Sequence, residues 1–172
     1  FVAWKIFHAY ARSGQWKEAA DWGDKMLIKY KNRGKWAGGK DEVARAHMFQ
    51  RNYGRAAELW GEKRGKLAQF YTAFCTYMNG EHKKSVQLFS KLGKRTDAWG
   101  VAANYWMGRA KDKLGQDSKA HYEHVRKFDD VHWYTLLLKQ TEGPPTPQTI
   151  VFDGQWKQER QQTVSKKENI LD

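Results

Sequence analysis

Two histidines in the stretch HYEH, His121 and His124, stand three residues apart, which puts both on one side of a helix where they could share a metal ion. Asp129, Asp130 and His132 follow soon after. No third ligand stands at a recognised spacing, so neither a metal nor a cofactor is assigned. The segment GEKRGK, Gly61 to Lys66, has the composition of a phosphate-binding loop, but its spacing is too short and no Ser or Thr follows the lysine. There is no GxSxG elbow and no CxxC pair. Cys75 is the single cysteine, which excludes an intrachain disulfide and a cysteine-based metal site. Flanked by aromatic residues in FYTAFCTYM, it reads as a small core hydrophobe. Glu18, Glu42, Glu58 and Glu62 lie in amphipathic helix patterns that a solvated face explains. No residue is assigned a catalytic role.

The elements that would position these residues are helices. Trp99, Ala103, Trp106, Met107, Ala110 and Leu114 recur at spacings of three and four, one stripe of a helix. Gly115 stops that helix in the left-handed conformation, and Gln116-Asp117-Ser118 offers polar caps for another, expected from about Ser118 to Phe128. Ala120 is the small residue expected where the two helices approach. The same helix, turn, helix unit recurs. Gly14 is followed by Trp16 and Ala19, Gly80 by His82 and Ser85, and a turn near Arg51-Asn52 by Tyr53 and Ala56. The corresponding positions 16, 53, 82 and 117 are separated by 37, 29 and 35 residues, scattered around the roughly 34 of a tetratricopeptide repeat. In the helix before the first turn, Ala3, Ile6, Phe7 and Tyr10 hold the packing positions. The expected fold is all-α, a solenoid of tetratricopeptide-like helical hairpins over residues 1–142, each burying its apolar face against its neighbours. GPPTP, Gly143 to Pro147, breaks the pattern. Residues 143–172 read as a Pro-containing connector and polar tail with a short strand-like run at Thr149 to Phe152.

The charge balance bears on partners. Thirty-one Lys and Arg against nineteen acidic residues give a net charge of +12. From Lys25 to Lys40 there are six basic residues and no acidic one, around a glycine-rich turn that carries Trp36. Lys29, Lys31, Arg33, Lys35 and Trp36 are therefore candidate binding residues for an anionic polymer. Of the nine tryptophans, Trp16, Trp22, Trp60, Trp99 and Trp106 fall at packing positions, whereas Trp36 and Trp156 lie in polar surroundings suited to stacking. The chain has no signal peptide and no apolar run long enough to span a membrane. It begins at Phe1 inside a helix pattern and reads as part of something longer.

The block from Trp99 to Leu138 resembles the helical-repeat region of bacterial soluble lytic transglycosylases. Tyr105, Trp106, Gly108, Arg109 and Ala110, then Gly115 and Ala120, then Trp133, Tyr134 and Leu137 carry the resemblance. It implies a superhelical domain that helps hold peptidoglycan glycan strands for a separate catalytic domain, in the same parent or a partner protein, in the periplasm or cell envelope. The family's catalytic Glu-Ser and Gly-Leu-Met-Gln elements are missing, so this chain is not expected to be catalytic by itself. Arg109 is the binding residue that the resemblance names; a helix-surface ion pair with Asp112 or Glu123, or packing of its stem, would equally explain it. Two readings from other classes stand beside this one. One is a generic tetratricopeptide-type protein interaction module. The other is an RNA-binding repeat, which lacks a regular base-reading pair, so nucleic acid is not expected.

Overall fold

The computed structural model describes residues 2–30, 39–128 and 132–142. Among them it shows nine helices and no strand: α1 Val2–Arg12, α2 Trp16–Lys29, α3 Lys40–Phe49, α4 Tyr53–Gly61, α5 Lys66–Met78, α6 His82–Gly93, α7 Ala98–Lys113, α8 Lys119–Arg126 and α9 Trp133–Glu142. The first of two compact units, Phe1–Leu138, contains almost all of them. The second, Lys139–Asp172, is described only at 139–142, the end of α9.

Four hairpin turns share one backbone device. Gly14, Arg51, Gly80 and Gly115 each take a positive φ, at 74°, 65°, 85° and 65°. The N–H of each reaches back to a carbonyl three residues earlier, and the next N–H to one five earlier, as in Gly80 to Tyr77 (2.9 Å) and Glu81 to Thr76 (3.1 Å). This double bond pattern satisfies carbonyls that the end of a helix leaves open. Arg51 does the same with Met48 (3.0 Å) and Asn52 with His47 (2.8 Å). The glycine absent from the second repeat is thus replaced by an exposed arginine in the left-handed conformation, and the turn is otherwise unchanged. Each hairpin pairs an odd-numbered helix with the even-numbered one after it, and each of α1 to α7 packs on its successor.

The register expected behind each turn is kept in three hairpins. Ala19, Ala56 and Ser85, five residues after the left-handed residue, are completely buried where the helices meet. Ala120 departs from it and is exposed. In the first three turns the N-cap residue (Gln15, Asn52, Glu81) directly follows the left-handed residue, whereas α8 begins only after Ser118. The delay rotates Ala120 out of the contact. Tyr122 takes the interface instead, its ring over Gly108, where an added Cβ would lie 2.5 Å from the ring. Leu114 also leaves the apolar stripe assigned to it and is 38% exposed at the turn.

Three core clusters follow one another along the array. The first joins α1 to α5 around Phe7, Val43, Leu59 and Trp60; the second joins α5 to α7 around Phe70, Phe89, Leu92 and Met107. The third joins α7 to α9 around Val101, Tyr105, Val125 and Leu138. Trp60 is fully buried, while Trp16, Trp22, Trp99 and Trp106 are half-buried against the clusters. Cys75 is buried in the first cluster, and burial pushes its thiol up to about 12. Each hairpin therefore shares its apolar side with its neighbours, the defining economy of a repeat solenoid.

Candidate functional site

Counting back from the left-handed residue of each turn brings equivalent side chains into line. Six residues before it stand His8, Arg45, Phe74 and Arg109, on α1, α3, α5 and α7. Two residues before it stand Arg12, Phe49, Met78 and Lys113. All eight are exposed or half-exposed, so the first helix of every hairpin presents the same stripe to solvent. Phe49 is 55% exposed and Met78 38%, apolar groups that no neighbour within the described residues covers completely.

Between α1 and α3 this face opens into a cavity of about 400 Å³ whose walls include Phe7, His8, Trp16, Glu42, Arg45 and Phe49. Its aromatic wall is built by Trp16 stacked on Phe49, with ring centroids 4.5 Å apart. His8 Nε2 and Glu42 pair across it at 3.4 Å. Arg45 is exposed and forms no ion pair among the described residues. Further along, the face is floored with rings. Trp106 packs against Phe74 (4.9 Å) and Tyr77 (5.2 Å) of α5, and its indole N–H donates to the Tyr134 hydroxyl of α9 (3.3 Å).

Arg109 stands at the edge of this floor. Its guanidinium lies over the Tyr105 ring at 6.0 Å and donates to the Tyr105 hydroxyl at 3.2 Å. Neither Asp112 nor Glu123 pairs with it; Asp112 accepts from the Tyr122 hydroxyl instead. A guanidinium held by a ring and a phenol keeps its full charge available to an incoming carboxylate. Lys29 ends α2 with its ammonium 5.7 Å from the Tyr30 ring. Lys31, Arg33, Lys35 and Trp36 lie outside the described residues, as do Trp156, Asp129, Asp130 and the strand-like run at 149–152. The candidates Lys29 and Arg109 are not neighbours in any contact of the structure.

The histidines whose surroundings could support acid–base chemistry are committed elsewhere. His47 is almost fully buried, with Nδ1 accepting from Gln50 (3.0 Å) and Asn52 (3.3 Å) and Nε2 donating to Asp24 (3.1 Å). Arg55 donates to the other Asp24 oxygen at 3.1 Å. Burial alone would raise the Asp24 carboxyl, but these two donors outweigh it and hold it below the usual carboxylate range. The pair looks like two-thirds of a hydrolytic triad, yet His47 Nδ1 faces amides rather than a nucleophile, so it ties α2, α3 and α4 together. His121 Nδ1 faces the side-chain oxygen of Asn104 at 2.9 Å, whose amide nitrogen already donates to Gly93 (2.8 Å) and Gly100 (2.9 Å). His121 must therefore donate. Burial first, then Lys111 and His124, lowers its pKa. Among the described residues no group of three His, Cys, Asp or Glu could hold a metal.

The odd helices with a shared solvent-facing stripe, backed by even helices in shared cores, define a tetratricopeptide-like repeat solenoid. Among solved structures the chain is similar to a Podosopora anserina protein described as a kinesin light chain with nearly identical TPR-like repeats. The TM-score is 0.59 and the identity 19%, over 73% of this chain and 72% of that one. A single-substitution variant of that protein gives the same score and coverage at 20% identity. At this identity the likeness establishes the fold alone. No protein-family model matches the chain, and no curated protein matches it.

Arg45 and Phe49 went unnoticed in the sequence because what marks them is their exposure beside the cavity, which the packing of neighbouring repeats decides. Aligning the α3 repeat on Arg51 rather than on a missing Gly brings both into line with Arg109 and Lys113.

Proposed function

We propose that this chain is a protein-interaction module that captures a linear segment of a partner on the face made by α1, α3, α5 and α7. One observation carries the reading: the cavity of about 400 Å³ between α1 and α3, walled by the Trp16–Phe49 stack and edged by Arg45. A groove with exposed aromatic rings and unpaired cations suits an apolar anchor residue with carboxylates beside it. The fold supports this, since repeat solenoids commonly bind along one continuous face. Chemistry on the bound segment is not part of the proposal, because the acid–base histidines are tied into packing contacts.

The narrower reading, a non-catalytic scaffold that positions peptidoglycan for a lytic transglycosylase in the cell envelope, rests on the block around Tyr105 to Ala110. Tyr105, Gly108 and Ala110 are buried in helix contacts, and Trp106 is half-buried between α5 and α9. The shared residues thus serve packing that any such solenoid needs, and the comparisons with known proteins add nothing to that reading. It ranks below the interaction module.

The test is selection of a random 12-residue peptide library on the full chain, with affinities then measured by fluorescence anisotropy. Phe49→Ala should weaken the selected peptides at least about tenfold, since a buried aromatic anchor contact contributes roughly 1.5–3 kcal/mol. Gln87→Ala, on the exposed side of α6, should leave them unchanged. Peptides that bind Phe49→Ala as tightly as the native chain would place the site elsewhere.

A further inference from the structure

The solvent-facing stripe is not uniform along the array. On α1 it carries His8 and Arg12; on α3, Arg45 and Phe49; on α5, Phe74 and Met78; on α7, Arg109 and Lys113. The two positions that define the stripe hold no acidic residue in any of the four repeats. Arg12, Arg45, Arg109 and Lys113 form no ion pair among the described residues, although the chain forms many elsewhere. The middle helix is apolar beyond those two positions. Leu67 is 38% exposed on α5, and Tyr71 is half-buried four residues further along. Cations thus stand toward both ends of this face, and exposed apolar groups lie between them from Phe49 on α3 through α5.

Resting on the reading of this face as a partner-binding groove, we infer that its ligand is an extended peptide with acidic residues on both sides of an apolar centre. The charge argument selects the flanks. Arg45 and Arg109 each offer a planar fork of donors suited to a carboxylate, and neither has one. Apolar area selects the centre, because Phe74, Met78 and Leu67 gain most from losing water. Geometry sets the length. Arg45 and Arg109 occupy equivalent positions two repeats apart, on α3 and α7 with α5 between them. An extended chain advances about 3.3 Å per residue, so a peptide that reaches both arginines must be long enough to cross α5.

Three synthetic peptides of twelve residues test it on the full chain by fluorescence anisotropy: one with Glu flanks and a Leu/Phe centre, one of the same composition with the order inverted, and one with the flanking Glu changed to Gln. The Glu-flanked peptide should bind at least tenfold more tightly than either other peptide, and its advantage over the Gln peptide should shrink as salt rises. Arg45→Gln and Arg109→Gln should each remove about tenfold from the Glu-flanked peptide alone. Lys83→Gln, which changes net charge equally from an exposed site on α6, should remove none. Arg109→Lys, which retains the charge and most of the stem, guards against loss of fold and should fall between native and Gln. Equal binding of the Glu-flanked and inverted peptides, or equal effects of Lys83→Gln and the arginine variants, overturns this inference while leaving the Phe49-dependent module intact. If no library peptide shows Phe49 dependence, the module reading itself falls.

Discussion

Arg51→Gly is the substitution for which the fold predicts a gain from removing a side chain. Arg51 is exposed, its φ is 65°, and its backbone makes the same two hydrogen bonds that Gly14, Gly80 and Gly115 make in their turns. A left-handed conformation costs an L-residue roughly 1–2 kcal/mol, which glycine avoids. Against this, glycine gives the unfolded chain extra freedom worth about 0.4–1 kcal/mol. The net expectation is stabilisation of about 0.5–1 kcal/mol. Gly80→Ala is the mirror experiment. Nothing lies within 4 Å of the Cβ it would add, so its cost is backbone strain alone, and it should destabilise by a similar amount. Urea and thermal melts followed by helical circular dichroism measure both; a change of 1 kcal/mol moves Tm by about 2–4 °C at this size. If Arg51→Gly lowers Tm, or if both variants shift it in the same direction, the two turns are not equivalent and the register built on them fails.

Other expectations follow from individual contacts. Trp60→Ala should cost about 3–5 kcal/mol because the ring is fully buried, and Trp106→Ala should cost less because its ring is half-buried; urea melts of the two variants rank them. Cys75, its thiol pushed up to about 12, should react with a thiol reagent only at the rate of unfolding, and rapid labelling of the native chain would refute its burial. Asp97 caps α7, accepts a fork from Arg95 and titrates at about 2 in the fold, first because of that fork. A folded pKa below the unfolded value gives stability that is present above about pH 4 and lost as pH falls toward 2, so Asp97→Asn should narrow its deficit in Tm over that window. His121 is also held below its ordinary value, so acidification through pH 6.5 and below should destabilise the native chain, and His121→Gln should flatten that part of the pH–Tm curve.

The hairpins were legible wherever the turn residue was glycine, because glycine in a left-handed turn is a local signal that needs no knowledge of neighbours. Gly14, Gly80 and Gly115 could be read that way; the turn near Arg51-Asn52 was legible from the Tyr53 and Ala56 behind it, and only the φ of 65° shows that Arg51 itself takes the glycine's place. The buried small residues Ala19, Ala56 and Ser85 were legible for the same local reason. Ala120 was misread because the fourth turn delays its helix, and a delay turns a packing residue into a surface one. The functional face was the least legible part. Its cavity depends on α1 and α3 standing apart, a fact of packing between repeats, and Phe49 gives no sign in sequence that it will be exposed. The strongest compositional signal, the basic run from Lys25 to Lys40, drew attention to a stretch whose core, 31–38, lies outside the described residues.

Two helices, α5 and α7, each belong to two cores, α7 to the second through Met107 and Ala110 and to the third through Val101 and Tyr105. Ala68 and Cys75 of α5 are buried with the first cluster, while Phe70, Ala73 and Tyr77 are buried with the second. To expose the amides of α5, both clusters must open, whereas α1 or α8 can detach at the expense of one. Hydrogen exchange should therefore be slowest at the centre of the array and quicken toward each end. The α5 and α7 parts of the stripe are then presented by the longest-lived elements, and the cations of α1 and α3 by elements that open more often. A ligand seated on α5 and α7 would hold its place there while its end over α1 and α3 lets go and rebinds.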